Sequence, residues 1–155
     1  MRPSHHTKTK ADIGLVKVIA DLTEKGHVPC IPLSEHQPYD LVVVMRSGGV
    51  AKVQVKYSSL KDNGTIDIKY RRSWSDSRGT YSTPYGHDEF DWYAFYCPEK
   101  DSVIYVRNDG SRPASIRFDR AANNQFKRVK WAGNFLDIER ESSETIRHTP
   151  ETVKT

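Results

Sequence analysis

The chain has 155 residues, 36% hydrophobic and 28% charged, enough for one globular core with polar ends. No run approaches the ~20 apolar residues of a membrane span and the amino terminus has no apolar signal region, so a cytoplasmic setting away from membranes is expected. Two cysteines exclude a disulfide framework or a four-cysteine zinc site, and a net charge of +4 leans toward a polyanionic partner.

Residues 10 to 25 carry the apolar stripe of a helix through Ile13, Leu15, Val16, Val18, Ile19 and Leu22. Thr9-Lys10-Ala11-Asp12 reads as a start resembling a capping box, and Gly26 as the stop. Val28 to Leu33 is expected as a short strand at a sheet edge, because Pro29 and Pro32 interrupt it. Two Val-rich runs, Asp40 to Val44 and Val50 to Tyr57, flank Ser47-Gly48-Gly49 and predict a β-hairpin. Asp62-Asn63-Gly64 then introduces a strand over Thr65 to Tyr70, bringing the expected sheet to four strands.

Residues 71 to 87 break the pattern and are expected as a long loop. Lys69, Arg71, Arg72 and Arg78 suit phosphates or guanine edges, while Trp74, Tyr81 and Tyr85 offer stacking surfaces. The loop therefore reads as a DNA contact, against a surface loop pinned to the core by its aromatics. Phe90 to Cys97 and Ser102 to Val106 predict a second, central hairpin whose aromatics form core. Cys30 and Cys97 are expected as buried thiols. Ser115 to Phe118 is a further short strand, and Asn123, Asn124, Gln125 and Lys127 lie in a polar stretch suited to base edges and phosphates. A final element is expected over Trp131 to Ile138. The folded domain is thus expected over residues 1–138, with a polar, disordered tail over 139–155.

The first hairpin carries chemistry. With its turn centred near Gly48, Asp40 is expected opposite Lys56 and Val42 opposite Gln54. The period-2 rule then gathers Asp40, Gln54 and Lys56 on one face. A carboxylate and an amide oxygen are hard ligands of the kind Mg2+ prefers, and a lysine beside them can orient water or offset charge on a phosphorane. An exposed salt bridge on an ordinary hairpin would have the same spacing.

Asp40 followed by Gln54-Val55-Lys56 resembles the PD-(D/E)XK nuclease signature, an Asp before an acid-x-Lys tripeptide on adjacent strands. Tyr39-Asp40 stands where the family has Pro-Asp, with Pro38 one place earlier, and Gln54 replaces the second acid. The Gln-x-Lys variant, with Thr7 to Gly14, Pro32 to His36 and Phe90 to Pro98, resembles most the homing endonucleases encoded in group I introns, over residues 7 to 138. Family members often place a Glu on the first helix near the metal. Leu15 stands there, and Asp12, the nearest acid, has a capping role as its competing reading.

The resemblance implies an α/β (α+β mixed) fold with a restriction-endonuclease-like core, a central mixed sheet flanked by helices. It implies Mg2+, with Mn2+ as a substitute, held by Asp40 and Gln54, and Lys56 orienting the attacking water. The implied partner is double-stranded DNA, cut sequence-specifically by a homodimer or homotetramer. Two alternatives remain at this point: a structure-selective nuclease resembling Holliday-junction resolvases, and a nucleic-acid-binding module whose site has decayed at Gln54.

Overall fold

The computed structural model describes residues 6–111, 113–124 and 127–139. Helix α1 spans Thr7–Glu24, starting three residues before the apolar pattern does, because His6 caps it by accepting the Lys8 N–H on Nδ1 at 3.3 Å. Thr9 and Asp12 therefore lie inside the helix, and the expected capping role of Asp12 is not the one observed. Gly26 ends the helix with φ of +85°, the left-handed conformation that glycine adopts without strain.

Five strands form the central sheet in the order β1 (Val28–Cys30), β2 (Leu41–Val44), β3 (Val50–Tyr57), β7 (Trp92–Cys97) and β8 (Ser102–Arg107). Only β3 and β7 pair in parallel, so the sheet is mixed. All six residues of β7 are buried, and their alternation feeds two cores. Trp92, Ala94 and Tyr96 join Val18, Leu22, Leu41, Val43 and Val53 under α1. Tyr93, Phe95 and Cys97 join a second core on the opposite face.

That second core is closed by a small antiparallel sheet of β4 (Thr65–Asp67) and β9 (Ser115–Arg117), in which buried Ile66 lies opposite buried Ile116. The 3-10 turn Ala132–Asn134 and Phe135 complete it. β4 is thus not the fourth strand of the main sheet. Its Ile66, with Ile116 of β9, covers the second core, whereas the place beside β3 belongs to β7.

Residues 71 to 84, expected as a loop, form a second hairpin of β5 (Arg71–Asp76) and β6 (Gly79–Pro84). Most of its side chains are exposed, so it lacks the apolar alternation by which strands are read. β1 is shorter than expected and stops at Cys30, two residues before Pro32, and Cys30 is exposed while Cys97 is buried. The expected central hairpin is β7–β8, but β8 ends the sheet, its Tyr105 N–H donating to the Phe135 carbonyl at 2.8 Å. Among the described residues no helix is long and apolar enough to cross a membrane.

Candidate active site

The site forms where β2 parts from β3. Their register places Leu41 opposite Val53 and Val42 opposite Lys52, two residues away from the expected pairing. The hairpin centre therefore falls at Ser47 rather than Gly48. Moving a hairpin's centre by one residue moves every opposing residue by two, which leaves face assignments unchanged. Asp40 consequently lies beside Gln54 instead of opposite Lys56, yet Asp40, Gln54 and Lys56 remain on one face. Val55 and Tyr57 point the other way, toward Gly14 of α1.

Asp40 performs the last pairing of β2 by itself. Its N–H donates to the Val53 carbonyl at 2.9 Å, and its Oδ2 accepts the Val55 N–H at 2.8 Å, which has no β2 partner beyond this point. One carboxylate oxygen is thereby fixed and the other accepts no hydrogen bond from the described residues. Gln54 Nε2 donates to the Val55 carbonyl at 3.4 Å, and its amide oxygen accepts no hydrogen bond from the described residues. Asp91 plays a comparable part on the other edge of β3, where its Oδ2 accepts the Lys52 N–H at 2.8 Å; it serves the start of β7 rather than the site.

Lys56 donates to the Tyr85 hydroxyl at 3.0 Å and to the Arg71 carbonyl at 3.3 Å. Burial holds the Asp40 carboxyl above its usual range, against the opposing effects of the Val55 N–H and the Lys56 charge. Burial likewise pulls Lys56 below the usual lysine range, opposed by Asp40 and assisted by Arg72. Both charged forms are thus under desolvation stress, a condition common at reactive sites.

The donor set fits a Mg2+ ion that keeps several waters: one half-anchored carboxylate and one amide oxygen, both hard ligands. Among the described residues no group of three or more His, Cys, Asp or Glu side chains gathers as a metal site, so phosphate and water oxygens would have to complete the shell. Asp12 is exposed on α1, two residues from Gly14 and hence on the helix face turned away from the sheet. The structure does not bring it to Asp40.

The expected DNA contacts divide. Trp74 and Tyr81, 49% and 39% exposed, stack across the β5–β6 hairpin at 5.6 Å. Arg78 is exposed at the tip, and Lys69 at the base. Arg71 lies across the hairpin, bonded to Ser82 Oγ at 2.9 Å and its carbonyl at 3.0 Å. Arg72 turns inward to Glu89 Oε1 at 2.5 Å, so its charge is already met within the protein. Tyr85, expected as a stacking surface, is 6% exposed and belongs to the second core. Asn123, Asn124 and Lys127 are exposed, and Asn123 lines a depression of about 440 Å³ with Arg117, Arg128 and Lys130. Gln125 lies outside the described residues.

A five-stranded mixed sheet with an Asp at the divergence of two strands and a Gln-x-Lys on the second carries the arrangement of a nuclease. The chain belongs to the PD-(D/E)XK endonuclease family, whose model matches residues 5–138. Its structure is similar to that of a bacterial homing endonuclease, I-Ssp6803I, with a TM-score of 0.68 and 27% identity over 92% of this chain and 93% of that one. A comparison with curated proteins finds no match. The restriction-endonuclease-like fold expected from the hairpin motif is therefore the fold observed, with one α-helix among the described residues where flanking helices were expected.

Proposed function

We propose that the protein is a homing endonuclease that hydrolyses phosphodiester bonds in a specific double-stranded DNA sequence with Mg2+, Mn2+ serving as a substitute. The observation that carries this reading is the convergence of Asp40, Gln54 and Lys56 on one sheet face at the point where β2 leaves β3. In this reading the free Asp40 oxygen and the Gln54 amide oxygen hold the ion. Bound there, Mg2+ supplies Lewis acidity to the phosphate and lowers the pKa of an attacking water. Lys56 orients that water and meets the negative charge that builds on phosphorus.

Gln54 in place of an acid removes one negative charge from the site, so affinity for the ion is expected to be weak until DNA phosphate joins the shell. Arg78, Lys69 and the Trp74–Tyr81 stack supply charge and aromatic surface for the duplex. A domain of this size covers little DNA, which favours a homodimer or homotetramer reading a pseudo-palindromic target. Exposed Val28, Val44 and Val50, side by side across β1, β2 and β3, offer apolar surface for such assembly.

The test is Mg2+-dependent cleavage of complex genomic duplex, supercoiled plasmid and a four-way junction by the native chain and by Lys56→Ala. Discrete duplex fragments that vanish with Lys56→Ala are expected. Symmetric nicking of the junction alone would replace the homing reading by a resolvase. DNA binding without cleavage under any divalent ion would mark a binding module.

A further inference from the structure

Lys56 is held by groups from both legs of the β5–β6 hairpin. The Arg71 carbonyl, 3.3 Å from its Nζ, opens β5, and Tyr85, whose hydroxyl lies at 3.0 Å, follows the last residue of β6. The two legs close on each other here, the Tyr85 N–H donating to the Tyr70 carbonyl at 3.2 Å. An ammonium has three N–H donors. With two of them committed, the direction of the third is set by tetrahedral geometry.

Tyr85 is itself immobilised from several sides. Its ring meets Phe90 edge-on at 5.1 Å and Tyr93 at 6.0 Å. The Arg72 guanidinium carbon lies 5.1 Å from its centroid. Arg72 in turn is bound to Glu89, whose second oxygen accepts the Gly86 N–H at 2.6 Å. The phenolic oxygen is therefore a fixed acceptor, whereas an unanchored lysine, with four rotatable bonds, would sample many rotamers.

We infer that Tyr85 is the positioning residue of Lys56: its hydroxyl, together with the Arg71 carbonyl, directs the remaining ammonium N–H toward the face that carries Asp40 and Gln54. The inference rests on Lys56 being the reactive lysine of the proposed nuclease. Tyr85 touches neither substrate nor ion in this role; it acts through the lysine. A tyrosine that only packs would use the Lys56 ammonium merely to satisfy its buried hydroxyl, and the two roles separate experimentally.

Tyr85→Phe keeps the ring and its contacts and removes the acceptor. Two readouts are required on the full chain. In the first, the Lys56 ammonium is followed by 15N relaxation in lysine-labelled protein, its signal assigned by loss in Lys56→Ala. Its order parameter is expected to fall in Tyr85→Phe toward that of exposed Lys69, the Arg71 carbonyl and the ring, whose centroid lies 4.8 Å from Nζ, keeping part of the restraint. In the second, single-turnover cleavage of the duplex fragments cut by the native chain is expected to slow about 10- to 100-fold while DNA affinity changes less than about twofold.

Unchanged ammonium order in a Tyr85→Phe protein overturns the inference, whatever the cleavage result. A rate and an affinity that fall together, or a rate that does not fall, overturn it as well. Lys56→Ala that cuts like the native chain overturns the reading of the lysine on which the inference rests, and the relaxation measurement then still decides whether Tyr85 holds it.

Discussion

Asp40 gives its two carboxylate oxygens different work, one closing the ladder at Val55 and one facing the site. Asp40→Asn separates these roles, because an amide oxygen can still accept the Val55 N–H while the charge is gone. Burial disfavours the ionised carboxylate, so the neutral side chain is expected to leave the melting temperature at or above the native value. Cleavage is expected to fall by more than ~100-fold, because loss of an outer-shell partner alone costs up to that much and the proposed place of Asp40 is on the ion itself. Thermal melting and Mg2+ titration with and without DNA check both halves. That Asp40, Gln54 and Lys56 share one sheet face was legible in the sequence, because side-chain alternation survives a two-residue error in register. Tyr85 was not legible as a partner of Lys56, since nothing between positions 56 and 85 encodes their approach; the local signal was only Pro84-Tyr85-Gly86, an aromatic at the end of a polar stretch.

Among the elements, α1 lies against β3 through Gly14, and a Cβ built there would meet Tyr57 Cβ and Val55 Cγ1 at 3.7 Å, ordinary contact distances. Gly14→Ala is therefore expected to stabilise the protein by roughly 0.5–1 kcal/mol, the usual gain of alanine over glycine inside a helix. Gly64 behaves oppositely. Its φ is +78° and a Cβ would stand 2.8 Å from Asp119 Cβ, so Gly64→Ala is expected to cost more than ~1 kcal/mol. Urea unfolding of the two variants gives the comparison. Both glycines could be marked as special from sequence, one inside a helical period and one in Asp62-Asn63-Gly64, but only packing distances separate the permissive position from the strict one. The β5–β6 hairpin shows the opposite failure: its strands are solvated, so Arg71-Arg72-Ser73-Trp74 and Thr80-Tyr81-Ser82-Thr83 carry no buried face to read. Their residue types still favour strands, and the Trp74–Tyr81 pair is the cross-strand contact that a search for aromatic partners across Asp76-Ser77-Arg78-Gly79 would have found.

The molecule as a whole is closed by a contact between distant parts of the chain. Glu139 accepts the Ser47 N–H on Oε1 at 2.8 Å and Arg46 Nη2 on Oε2 at 3.2 Å, while buried His27 accepts the Arg46 N–H on Nδ1 at 3.0 Å. The β2–β3 turn is thereby clasped to the last described segment, next to fully buried Ile138. The Ser47 N–H holds the Glu139 carboxyl below its usual range, chiefly among several smaller effects. A carboxyl depressed on folding contributes stability above its unfolded pKa and loses it as pH falls through the folded one. Glu139→Gln is thus expected to be less stable than the native chain near neutrality, the difference shrinking below about pH 4. Melting temperatures across that range test it. No periodicity announces this clasp, because its members are separated by most of the chain and each is polar.

The proline at the middle of β1 has a consequence for how copies of this protein can meet. An outermost strand ordinarily presents spare amide donors to any passing strand, and Pro29 has none to present. A ladder extended beyond β1 would begin with a missing rung, so fibril-like growth through that border is discouraged and contact between molecules is turned toward side-chain surfaces.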